Sequence, residues 1–248
     1  MIHVSIITLW ISLVSISCVW GLTPVVVTLG DSLTEYGGDA GDSGWVWMLS
    51  QDYRDKARVV NWGHAGWNTQ QWVPEVSFVI DSFRGKEPPV LFTLFLGAND
   101  CALDQYTPPH VPLAQYQTNL ESIVLALQSA FPASAILLIT PPSVDDILLA
   151  QYRSNARTGA YAAACIALGT RSSTCSSRSL HCVVGKQMNI PVVDLWTPTR
   201  HRVTTLLKDG IHFNREGNIV VHEIITAAIE DNFPMLMPWT ISHLGVPF

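Results

Sequence analysis

Charge is scarce in this chain: Asp, Glu, Lys and Arg together make up 14% of its 248 residues, and none of them occurs before Asp31. A sequence with so little charge and 48% hydrophobic residues is neither a disordered polyelectrolyte nor a coiled coil, and has enough apolar material for one sizeable core. Basic residues are scarcer still, 14 against 20 acidic ones for a formal charge of −6, and they form no run. A partner held by neutralising a phosphate backbone is thereby excluded, so nucleic acid is not expected. No Asn-x-Ser/Thr sequon occurs, and no internal repeat or long low-complexity tract is present. The five cysteines (Cys18, Cys101, Cys165, Cys175, Cys182) fit no zinc-binding spacing. A Cys175–Cys182 bridge would close a short loop in an oxidising compartment, and free thiols in a reducing one are an equally ordinary reading.

Residues 4–20 are apolar with scattered Ser and Thr. Their length suits the hydrophobic region of a signal peptide better than a membrane span, with a cleavage point before Leu22. Residues 1–21 are therefore expected to be a leader that directs the chain to the secretory pathway, with no stable membrane span once it is removed. The absence of Lys or Arg from this stretch keeps an uncleaved anchor, or an apolar extension on a cytoplasmic protein, as alternatives. The remainder, 22–248, is expected to form a single domain.

Within it, short β-branched runs at 24–29, 58–61, 90–96, 135–140 and 191–195 read as buried strands. Segments with helical spacing lie between and after them, at 45–53, 69–83, 113–131, 147–168 and 216–229. Strand–helix alternation calls for a mainly parallel sheet with helices on both faces, because parallel neighbours need long right-handed crossovers. Ligands then belong at the carboxyl ends of the strands. The Ser-, Arg- and Cys-rich stretch 169–184 reads as an inserted surface loop, and the tail from Pro234 as a segment wrapping the surface.

Four pieces of sequence carry chemistry. Gly30-Asp31-Ser32 follows the first strand directly, where a sharp turn can project a serine hydroxyl towards solvent. Taken alone, such a serine is more often a helix cap than a nucleophile. Near the end of the chain Asp209 stands three residues before His212, so the two can converge on one side of a turn. A serine hydroxyl needs a base to remove its proton, and the base works best when an acid fixes its tautomer. The loops Asn61-Trp62-Gly63-His64-Ala65-Gly66 and Leu96-Gly97-Ala98-Asn99-Asp100 each follow a candidate strand, and Gly63 N–H and the Asn99 amide can donate to a developing oxyanion. Asp31 is expected to hold the turn by local hydrogen bonds. His64 and Trp67 are expected to line the substrate, while most of Trp45, Trp47, Trp67 and Trp72 are expected to serve packing.

Together these blocks resemble those of the SGNH (GDSL-type) hydrolases: Ser32, Gly63, Asn99 and His212 appear in the order that names that superfamily, with Asp209 three before the histidine. The resemblance implies a flavodoxin-like three-layer α/β/α sandwich, an acyl-serine intermediate, neither metal nor cofactor, and an oxyanion hole of Ser32 N–H, Gly63 N–H and the Asn99 amide. GDSLTEYGG, NWGHAGWNT, LGAND, RSNARTGAYAAACIAL, PVVDLW and DGIHFNREGN more narrowly resemble isoamyl acetate-hydrolysing esterases, which implies a small-molecule ester as substrate. A lysophospholipase- or lipase-like or carbohydrate-deacetylating hydrolase, or a silent binding protein, are the alternatives. Oligomeric state is not legible in the sequence.

Overall fold

The computed structural model describes residues 23–103, 110–170 and 188–241. The leader 1–21, Cys175, Cys182 and nearly all of the stretch 169–184 lie outside them. In chain order the elements are β1 (Val25–Gly30), α1 (Ser32–Glu35), α2 (Trp45–Asp52), β2 (Arg58–Gly63), α3 (Thr69–Phe83), β3 (Pro89–Phe95), α4 (Leu113–Ala130), β4 (Ala135–Ile139), α5 (Asn155–Gly169), β5 (Val192–Val193), α6 (Trp196–Thr199), α7 (Val203–Leu206) and α8 (Arg215–Asn232). The five strands form one sheet in the order β2-β1-β3-β4-β5, every pair parallel.

Period-two alternation along the strands divides the interior into two cores. Val25, Val27 and Leu29 of β1, Phe92 and Leu94 of β3, and Ile136 and Leu138 of β4 meet α3, α4 and α5 through Trp72, Val79, Tyr116, Ile123 and Cys165. On the other face Val26, Leu91, Phe95, Leu137 and Ile139 meet α2 and α8 through Trp45, Leu49, Val221, Ile225 and Ile229. The result is a three-layer α/β/α sandwich. Both faces of β1 are covered, and all six of its residues are buried. Truncating a residue such as Trp45 or Trp72, both fully buried, would cost about 3–5 kcal/mol.

Two expected elements differ. The helical spacing from 147 becomes a helix only at Asn155. Before it, Asp145 Oδ1 accepts from the Ile147 and Leu148 N–H groups, and Asp146 Oδ2 from that of Asn155. These side-chain oxygens compete with helical carbonyls for the backbone and turn it. The tail, expected to wrap the surface, forms a 3-10 turn at Pro234–Leu236 and sends Met237 and Ile241 into the α2–α8 core.

The order places a switch point between β1 and β3: the chain leaves β1 towards α2 on one face and enters β3 from α3 on the other. In open parallel sheets the crevice at such a point, beyond the carboxyl ends, accepts ligands. Ser32 follows β1 there, and Asn99 follows β3.

Candidate active site

The turn carrying Ser32 is fixed from both cores. Trp72 Nε1 donates to Gly30 O (3.1 Å) from the α3 side, and Trp45 Nε1 donates to Leu33 O (2.8 Å) from the α2 side. Within the turn, Asp31 Oδ1 accepts from Leu33 N–H at 2.9 Å, capping α1. The other oxygen, Asp31 Oδ2, is buried without a partner among the described residues. Complete burial pushes the Asp31 carboxyl up to about 7; the Leu33 N–H opposes that rise, the nearby Asp100 charge adds to it and Arg153 counters it. Asp100 is likewise pushed up to about 6 by burial, against the hydrogen bonds it accepts from the Thr69 hydroxyl and N–H.

His212 reaches this turn from the loop before α8. Its Nε2 lies 2.8 Å from Ser32 Oγ and its Nδ1 2.7 Å from Asp209 Oδ2. Asp209 Oδ1 also accepts from the N–H groups of Ile211 (3.1 Å) and His212 (2.8 Å), so the short Asp-x-x-His turn is closed by its own carboxylate. Burial would raise the Asp209 pKa; the hydrogen bonds from the His212 N–H, the His212 ring and the Ile211 N–H outweigh it and hold the group below its usual range. An ionised Asp209 on Nδ1 holds that nitrogen as the donor and leaves Nε2 free to take a proton from Ser32. The Tyr36 ring packs 5.1 Å from the imidazole. A shallow cleft, open to solvent, is lined by Ser32, Tyr36, Lys208, His212, Phe213 and Asn218, among others.

The loop after β2 departs from expectation. Gly63 N–H donates to Asn61 Oδ1 at 2.8 Å, so in this structure it is committed to its own loop. The glycine is there for packing: a Cβ at 63 would stand 2.1 Å from Glu35 N. His64 N–H donates to Gly30 O, Ala65 N–H to Glu35 Oε2 and Trp67 N–H to His64 O. From Gly63 to Trp67, Gly66 alone has an N–H with no acceptor among the described residues. Its φ of 81° is a left-handed conformation that favours glycine, and the space where a Cβ would stand is open.

Asn99, nearly buried, donates from Nδ2 to Trp67 O at 2.8 Å, which uses one of its two amide hydrogens. Its Oδ1 accepts from Arg153 Nη2 at 3.2 Å, and Arg153 Nη1 donates to Ala98 O at 2.9 Å. Arg153 is only 4% exposed, and sequence reasoning did not single it out. His64 stacks on Trp67 with ring centroids 4.3 Å apart, which places it in an aromatic cluster with Trp62 and Trp72. The nitrogen at Ser32 Oγ belongs to His212.

Among the described residues no group of three or more His, Cys, Asp or Glu side chains is arranged to hold a metal ion, and no helix is long and apolar enough to cross a membrane. Chemically, the arrangement sets a serine hydroxyl in hydrogen-bond contact with an imidazole that is itself held by a carboxylate.

Residues 26–225 match the GDSL-like Lipase/Acylhydrolase family. A GDSL esterase/lipase of Arabidopsis thaliana is 34% identical over 225 residues, covering 83% of this chain and 86% of the relative. An isoamyl acetate-hydrolyzing esterase 1 homolog of Bos taurus is 31% identical over 233 residues, covering 87% of this chain and 86% of the relative. Among solved structures, a lipase/acylhydrolase from Enterococcus faecalis superimposes with a TM-score of 0.63 at 23% identity, over 84% of this chain and 96% of that one, which supports the fold.

Proposed function

The chain belongs to the GDSL-like lipase/acylhydrolase family and is a carboxylic-ester hydrolase, and from that premise we propose that it cleaves small acetate-type esters through an acyl-serine intermediate. The observation that carries this reading is the relay Ser32 Oγ, His212 Nε2, His212 Nδ1, Asp209 Oδ2, with contacts of 2.8 and 2.7 Å. His212 takes the Ser32 proton as Oγ attacks the ester carbonyl, and Asp209 stabilises the imidazolium that forms. The carbonyl oxygen gains negative charge, which the N–H groups of Ser32 and Gly66 and the second Asn99 amide hydrogen receive; each such donor is worth about 3 kcal/mol of transition-state stabilisation. Gly66 takes the place expected for Gly63, whose N–H is occupied. His212 returns the proton to the departing alcohol, then activates water to release the acid.

The likeness to an isoamyl acetate-hydrolyzing esterase 1 homolog supports a small substrate. A specific feature favours a second reading, esters with longer apolar chains. Ile147 and Leu148 are 90% and 64% exposed on the segment that Asp145 N–H ties to Gly210 O, beside Asp209.

Hydrolysis of p-nitrophenyl esters from acetate to long acyl chains, by the full chain and by Ser32→Ala, tests both. The expected result is fastest turnover on acetate, lost in Ser32→Ala. Preference for long chains would transfer the assignment to the second reading. Turnover of no ester by folded protein, or turnover that survives Ser32→Ala, would remove the acyl-serine mechanism.

A further inference from the structure

We propose that Arg153 is a positioning residue for the oxyanion site, fixing which end of the Asn99 amide faces the substrate and strengthening that amide as a donor. The inference rests on Asn99 acting as an oxyanion donor.

An asparagine amide is nearly symmetric in shape and opposite in polarity at its two ends. Turned one way, Asn99 offers a hydrogen to a developing oxyanion; turned by 180°, it offers lone pairs, which repel it. Its environment removes the choice. The Arg153 guanidinium has donors only, so the end it touches at 3.2 Å must be Oδ1. The Trp67 carbonyl accepts only, so the end it touches at 2.8 Å must be Nδ2. A flipped amide would set N–H against guanidinium and oxygen against carbonyl, two repulsive contacts in a site where Asn99 and Arg153 are 3% and 4% exposed.

Arg153 also acts on the electrons and on the backbone. A cation on Oδ1 draws charge through the conjugated amide and makes the remaining N–H a stronger donor. Its other arm holds Ala98 O at 2.9 Å, so one planar fork grips both the side chain and the main chain of the loop that carries Asn99. Lysine keeps the charge and lacks that fork.

The side-chain turns at Asp145 and Asp146 fit this role. They end in a reversal in which Arg153 N–H donates to Leu149 O, while Leu103 N–H donates to Tyr152 O. Leu103 lies four residues beyond Asn99, so the segment preceding α5 is tied to the Asn99 loop by backbone as well as by guanidinium. A continuous helix from 147 would lack these turns.

The experiment is a double-mutant cycle on p-nitrophenyl acetate with wild type, Arg153→Lys, Asn99→Ala and the double variant. Rates are taken per active serine titrated with a fluorophosphonate, and folding is checked by circular dichroism. Asn99→Ala is expected to lower kcat about 100-fold or more, and Arg153→Lys about 10-fold with KM nearly unchanged. In the Asn99→Ala background, Arg153→Lys should cost less than about 2-fold more, because its route is already gone. Equal losses in both backgrounds would overturn the inference, since a residue that merely supports the fold acts whether or not Asn99 is there. So would a folded Arg153→Lys with full kcat. Unchanged kcat in Asn99→Ala alone would remove Asn99 as a donor and the inference with it, and the single variant reveals which of the two has failed. Should Arg153→Lys not fold, Arg153→Gln and Arg153→Met enter the same cycle.

Discussion

Replacing Asp31 by Asn should flatten the dependence of stability on pH. In the fold the Asp31 carboxyl is pushed from 3.8 up to about 7, chiefly by complete burial. A carboxyl whose pKa is raised on folding keeps its proton in the native state over a range where the unfolded chain releases it. The stability this group contributes is therefore greatest below about pH 4, falls as pH rises towards 7, and levels off once both states are ionised. At about 1.4 kcal/mol for each pH unit, this one group removes roughly 4 kcal/mol across that window, with about 2–3 kcal/mol of it lost between pH 5 and pH 8. That is a large share of the roughly 5–15 kcal/mol that holds a domain together. Asparagine keeps an Oδ1 to accept from Leu33 N–H and has no proton to lose. Urea unfolding of wild type and Asp31→Asn, followed by tryptophan fluorescence at pH 5, 6, 7 and 8, gives the difference directly. Any fixed cost of the substitution cancels between pH values, and Asp100 is present in both proteins. The variant should gain on the wild type as pH rises; two curves that stay parallel across the range would refute the reasoning.

Two further outcomes are expected. Asp209→Asn retains the shape of the turn but presents an N–H to His212 Nδ1, which moves the imidazole proton to Nε2 and disables it as a base towards Ser32; kcat should fall about 10³–10⁴-fold in steady-state assays with KM little changed. Gly63→Ala drives a methyl to 2.1 Å from the Glu35 backbone, so it should destabilise by about 2–3 kcal/mol and lower Tm by roughly 5–10 °C, whereas Gly66→Ala meets open space, bears only the strain of its positive φ, and should retain most of the wild-type Tm in calorimetry.

Where local pattern decides structure, the sequence was legible. The run ending at Gly30 is β1, displaced by one residue, and the helix expected over 69–83 has those limits, its start fixed by the reciprocal capping of Asn68 and Gln71. Ser32, Asn99, Asp209 and His212 were visible because each sits in a short block beside a strand end or turn, and the structure brings them to one rim. Legibility fails where a distant group decides. Arg153 is an ordinary basic residue until the fold buries it against Asn99, 54 residues away in the chain. The run at 191–195 yields only Val192–Val193 as strand, since β5 pairs with β4 through those two residues alone. Whether Gly63 N–H is open to a ligand depends on one side chain, Asn61, which accepts it at 2.8 Å.

The hydrogen bond from Ser32 to His212 joins positions 180 residues apart. A contact of such sequence separation is slow to form, because the entropy of closing a long loop must be met before the contact rewards it. Ser32 precedes His212 by that span, so a growing polypeptide carries the serine through the synthesis of 180 residues before the imidazole is made. Under the proposed mechanism, turnover in a refolding experiment begins only when this long-range contact has formed.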